Sequence, residues 1–95
     1  MREVVLDTET TGLDYNKGDR IVEIGAIELI NHIPTGKTFH SYLNPLIKGE
    51  MPEESFKVHG LTTEFLSNKP LFSEVVEGLI SFLGVSNLVI HNAKF

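Results

Sequence analysis

Asp7 and Glu9 are the residues whose types and spacing most directly permit chemistry. One residue, Thr8, separates them, and the apolar run Val4-Val5-Leu6 precedes them. In an extended strand, side chains at i and i+2 share a face. The two carboxylates would then stand side by side where a buried strand opens toward solvent. Held together without a counter-charge they repel each other. A divalent ion such as Mg²⁺ or Mn²⁺, which prefers oxygen ligands, relieves that repulsion. Two such ions about 3.5–4 Å apart suit phosphoryl transfer. A pair of solvated surface acids would have the same sequence, so the residues alone leave both readings open. Thr10, Thr11 and Gly12 follow as a polar turn. Its backbone N–H groups could meet a nucleotide, but a turn without a ligand would look the same.

The elements that must position these residues can be read from the pattern. Val4-Val5-Leu6 reads as a buried strand, with residues 3–9 as its span. Residues 10–19 read as a loop, with Gly12, Asp14, Asn16, Gly18 and Asp19. Residues 20–30 form the longest strand candidate. It is apolar on both faces, Val22, Ile24, Ala26 and Ile30 against Ile21, Ile27 and Leu29, which predicts an internal strand. Pro34 and Gly36 mark a turn over residues 31–36, and residues 37–43 alternate as an antiparallel partner.

Pro52 stands where a first helical turn tolerates proline, followed by Glu53 and Glu54, and that short helix ends near Gly60. Thr62 or Thr63 can cap a second helix over 63–67, and Ser73 a third over 73–83. Val75, Val76, Leu79 and Leu83 recur on one face of the third helix and should be buried. Leu88-Val89-Ile90 reads as another short buried strand, ending at His91-Asn92. The order β-β-β-α-α-α-β predicts an α/β chain with one mixed sheet. Its last strand should lie parallel to its first, and its site at the carboxyl ends of strands.

Composition narrows the rest. With 95 residues the chain holds one small domain or a part of a larger one. A 41% apolar and 22% charged composition is that of a globular chain rather than a disordered one. There is no Cys, which excludes disulfides, thiolate metal sites and thiol nucleophiles. No apolar run is long enough to span a bilayer or to form a signal peptide, so a cytoplasmic chain without a membrane partner is expected. Eight Lys and Arg stand against 13 Asp and Glu, and the basic residues are scattered singly. A protein that grips nucleic acid by charge alone usually carries a basic patch. If this one meets nucleic acid, metal ions held by carboxylates are the bridge.

The segment Val5-Leu6-Asp7-Thr8-Glu9-Thr10-Thr11-Gly12-Leu13 resembles the first motif of the DnaQ-like, or DEDD, 3′–5′ exonucleases, and of their proofreading members in particular. Arg20-Ile21-Val22-Glu23-Ile24-Gly25-Ala26 and Val58-His59-Gly60-Leu61-Thr62 are also similar to that family. Val89-Ile90-His91-Asn92-Ala93-Lys94-Phe95 resembles the opening of its second motif. The matches run in family order from residue 4 to residue 95. The resemblance implies a ribonuclease H-like fold and release of nucleoside 5′-monophosphates from 3′ ends, with two divalent ions, Mg²⁺ or Mn²⁺. It implies that Asp7 and Glu9 are catalytic metal ligands that also meet substrate, and that Glu54 and His59 contact the bound nucleotide. From the residues alone, Glu54 reads as a solvated helix-start acid and His59 as a helix C-terminal residue facing the dipole. The implied partners are a single-stranded or frayed DNA 3′ end and the core subunits of DNA polymerase III.

In the family, the second motif continues with an Asp after Phe95, and a third motif supplies a His base and another Asp. These are not in the sequence. The expectation is therefore an N-terminal portion, residues 1–95, of a single exonuclease domain, cut after the fourth strand and inactive by itself. An RNA 3′-exonuclease of the same fold, or a non-catalytic fragment that binds a partner chain, are the alternatives.

Overall fold

The computed structural model describes residues 1–12, 15–47 and 49–91, apart from the Tyr15 side chain. Positions 92–95 of the second motif, and Leu13 and Asp14 of the first loop, lie outside the described residues. The sheet comprises β1 (Arg2–Thr10), β2 (Ile21–Ile30), β3 (Ile33–Tyr42) and β4 (Asn87–Ile90), in the order β3-β2-β1-β4. β2 runs antiparallel to β1 and β3. β4 returns parallel to β1, with Glu3 to Leu6 opposite Asn87 to Ile90. A parallel return needs a long crossover, and the three helices occupy it. First and last strands therefore share one sheet, as the pattern predicted.

The β2–β3 connection is tighter than the sequence implied. Only Asn31 and His32 turn, both with positive φ, 50° and 68°, the two-residue hairpin geometry whose twist suits the strands. Pro34 and Gly36 lie inside β3 rather than in a turn. β3 is an edge strand, where a missing N–H costs little. Pro34 also pairs with Leu29 beside a register shift that follows Ile27.

Only one face of the sheet is well covered. Val22, Ile24 and Ala26 of β2 are buried, together with Val4 of β1; Ile27 on the opposite face is exposed, and so is Ile30 at the end of the strand. β2 is internal in the sheet, as its two apolar faces predicted, yet of the second face only Ile21, at the start of the strand, packs on the core. Ile24 packs with Leu43 and Leu79, and Val22 with Met51 and Leu66. Burying each of these side chains is worth about 1.5–3 kcal/mol. Leu88, Val89 and Ile90 of β4 were expected to be buried but are 45%, 48% and 46% exposed. β4 is an edge strand, and its outer side has no partner among the described residues.

Helix α1 (Glu53–His59) follows Pro52 and ends at Gly60, whose φ of 70° is left-handed and whose N–H bonds to the Phe56 carbonyl at 2.7 Å. Helix α2 (Thr63–Leu66) is capped by Thr62, whose Oγ1 accepts the Phe65 N–H at 3.0 Å. Helix α3 (Phe72–Leu83) begins one residue earlier than predicted. Leu71, not Ser73, is its cap, and the Leu71 N–H is taken by the Glu74 carboxylate at 2.8 Å. Of the four predicted core residues, Leu79 is buried, while Val75, Val76 and Leu83 are half-buried.

Arg2 fastens α3 to the sheet. Its guanidinium donates to the Phe82 and Leu83 carbonyls at the helix C-terminus and to Glu28 of β2. Positive charge at a helix C-terminus is favoured by the dipole. Glu28, buried on the core face, also accepts the Thr35 hydroxyl at 2.7 Å. The Arg2 hydrogen bond, then that from Thr35, holds the Glu28 carboxyl below the usual carboxylate range. Among the described residues, no helix is long and apolar enough to cross a membrane.

Candidate active site

Asp7 and Glu9 lie at the carboxyl end of β1, where the register with β2 runs unbroken from Arg2 to Glu9. With no bulge between them, the i and i+2 side chains share a face, as the spacing predicted. Gly25 stands opposite Asp7, and Glu23 opposite Glu9. Like charges directly opposite disfavour the pair. His40 of β3 eases this, its Nε2 2.6 Å from the Glu23 carboxylate.

A groove of about 690 Å³ opens beside this strand end, between the β1–β2 connection and α1. Glu9, Glu54 and His59 all line it, while Asp7 does not. Asp7 is instead bonded to His91, just past β4, with Nδ1 to Oδ1 at 2.9 Å. Among the described residues the groove lining also includes Asp19 and Glu53, against one cation, Lys17. Four carboxylates and one ammonium repel a phosphodiester unless cations intervene. Asp7 and Glu9 are hard oxygen donors, the type Mg²⁺ and Mn²⁺ select. They fit such an ion as part of a donor set. Among the described residues no cluster of three or more acids and imidazoles completes it.

The turn after β1 is built by hydrogen bonds rather than left open. Thr11, 3% exposed, gives its N–H to the Arg20 carbonyl at 2.8 Å and takes the Arg20 N–H on Oγ1 at 2.9 Å. The Thr11 N–H, considered from sequence as a nucleotide donor, is thus already used. Ser55 and His59 lie four residues apart, on one face of α1. The Ser55 hydroxyl donates to the Thr11 carbonyl, and His59 Nε2 to the Thr10 carbonyl at 3.1 Å. His59 Nδ1 accepts the Leu61 N–H at 2.9 Å, which leaves the ring proton on Nε2. His59 therefore ties α1 to the turn with both ring nitrogens. Sequence reasoning missed Ser55, and it placed His91 at the end of the last strand without giving it a contact to Asp7. The i, i+4 spacing of Ser55 and His59 was the available signal for the first. For His91 the signal was the expected return of the last strand beside the first, which brings its carboxyl end level with Asp7.

The sequence profile of the exonuclease family, RNase T type, matches residues 4–95. The chain belongs to the exonuclease family. Within it, the chain is 54% identical over 95 residues to the DNA polymerase III subunit epsilon of Rickettsia prowazekii, covering 100% of this chain and 41% of that one. It is 46% identical over 98 residues to the subunit of that name from Salmonella typhimurium, covering 99% and 40%. The chain thus spans about two-fifths of the length of these relatives. Among solved structures, exonuclease X in complex with 5′ overhanging duplex DNA matches with a TM-score of 0.76 at 25% identity, over 98% of this chain and 50% of that one. An exonuclease I structure matches at 0.76 and 19% identity, over 94% and 20%, a likeness of fold. The ribonuclease H-like architecture predicted from the sequence is the one these exonucleases share.

Proposed function

We propose that this chain is the N-terminal portion of a single 3′–5′ DNA exonuclease domain of the proofreading type, acting in the cytoplasm with the core subunits of DNA polymerase III. The observation that carries the reading is the placement of Asp7 and Glu9 on one face at the end of β1, beside an acidic groove lined by Glu9, Glu54 and His59. The identity to epsilon subunits over the whole chain supports the proofreading assignment.

The substrate is a single-stranded or frayed DNA 3′ end, and the reaction is hydrolysis of its last phosphodiester. Asp7 and Glu9 would hold two divalent ions, Mg²⁺ or Mn²⁺, as part of a larger donor set. When bound, such ions neutralise the phosphoryl oxygens and polarise the phosphorus toward attack. Glu54, exposed in the first turn of α1, reaches the terminal nucleotide from the groove wall. His59 shapes the floor by fixing the turn at Thr10 and presents its ring to the same nucleotide. No histidine stands ready as a general base. His32 lies 2.8 Å from Glu3, and His40, His59 and His91 are engaged as described. Residues 1–95 by themselves are therefore inactive.

The test is a chimera in which these 95 residues replace the matched stretch of the Rickettsia prowazekii subunit. It should release mononucleotides from the 3′ end of labelled DNA in Mg²⁺ or Mn²⁺, and faster than from RNA of the same sequence. A folded chimera that leaves DNA intact, or prefers RNA, would refute the assignment.

A further inference from the structure

The contact between His91 and Asp7 does more than join two strand ends. The main-chain N–H of His91 bonds to the Leu6 carbonyl at 2.9 Å, which carries the β1–β4 pairing one residue past Ile90. This sets the imidazole beside Asp7, with Nδ1 2.9 Å from Oδ1. The same Oδ1 accepts the Thr8 N–H at 2.9 Å. A carboxylate only accepts, so Nδ1 carries the proton. Two donors thus converge on one oxygen, and among the described residues no hydrogen bond falls on Oδ2. An Asp side chain clamped at one oxygen presents the other in a fixed direction.

We infer that His91 is a positioning residue for Asp7, holding Oδ1 through Nδ1–H so that Oδ2 faces a divalent cation. The inference rests on the metal reading above and deepens it. Hydrogen bonds to a metal-binding carboxylate set its orientation and strengthen the site. The side chains of His91 and Asp7 are 75% and 54% exposed, so water competes with the contact and its effect falls at the low end of the usual range.

The experiment titrates Mn²⁺ into the ¹⁵N-labelled chimera with the Rickettsia prowazekii subunit and follows broadening of the Thr8 amide, with the amide spectrum of each variant reporting its fold. His91→Ala should raise the midpoint about tenfold. His91→Asn keeps an N–H where Nδ1 stands and should stay within about threefold of the parent chimera. His91→Gln places its amide nearer the Nε2 position and should behave like His91→Ala. A midpoint unmoved in His91→Ala, or moved as far in His91→Asn as in His91→Gln, would overturn the inference while leaving the metal reading intact. A parent chimera that binds no Mn²⁺ at Asp7 would overturn both.

Discussion

His59 Nε2 lies 3.1 Å from the main-chain oxygen of Thr10, although 49 residues separate them. With Leu61 bonded to Nδ1, the ring spans from the end of α1 to the turn that follows Glu9. The helix and the strand end that form the groove are thereby held at a fixed separation.

The first prediction follows from that bridge. His59→Ala strands the Leu61 N–H and the Thr10 carbonyl, and should cost about 1–2 kcal/mol of stability, roughly 1 per hydrogen bond. Urea unfolding measures the loss, and amide exchange of residues 10–12 should accelerate. An unchanged midpoint would mean that the ring is free for other partners.

Glu28 gives a pH dependence. Its folded carboxyl is held below the ordinary range by Arg2 and then Thr35. A depressed acid contributes stability that is present above the unfolded value, about 4.3, and is lost as pH falls through the folded one. Urea midpoints should therefore drop on acidification below about pH 4. Glu28→Gln should be less stable at neutral pH and show a flatter acid limb. An identical acid limb in that variant would show that other carboxylates carry it.

Gly12 is a steric prediction. A Cβ there would sit 2.4 Å from the nearest Asp19 carboxylate oxygen. Gly12→Ala must turn Asp19 away from Thr11, whose hydroxyl it accepts at 3.2 Å. The cost should be about 1 kcal/mol in thermal or urea unfolding. Full stability would show that Asp19 moves without loss.

The 95-residue chain itself should hydrolyse DNA 3′ ends no faster than its Asp7→Ala variant. A general base alone is worth about 10²–10⁴ in rate, and no histidine here is placed to act as one. Turnover in Mn²⁺ above the variant would require a base within these residues or from a second copy.

What the sequence made legible was mostly local or periodic, together with the parallel return of β4 beside β1. The i, i+2 spacing of Asp7 and Glu9, the Gly60 stop and the Thr62 cap each depend on neighbours within a few residues. The turn before β3 was misjudged because Pro34 and Gly36 usually break strands, and their tolerance depends on β3 lying at the sheet edge. Leu88 to Ile90 read as buried because apolar content does not reveal what covers a strand. The buried Arg2–Glu28 pair and the His91–Asp7 contact join residues 26 and 84 positions apart. Their pairing exists only after β1 has been placed beside β2 and β4.

Asp7 and Glu9 are proposed to hold the catalytic ions. The most direct measurement is mononucleotide release by the chimera with the Rickettsia prowazekii subunit, with and without Asp7→Ala. Asp7→Ala should lower kcat about a thousandfold, or by about 4 kcal/mol of transition-state stabilisation, without loss of fold. An Asp7→Ala chimera that retains metal-dependent activity near the parent's would contradict it.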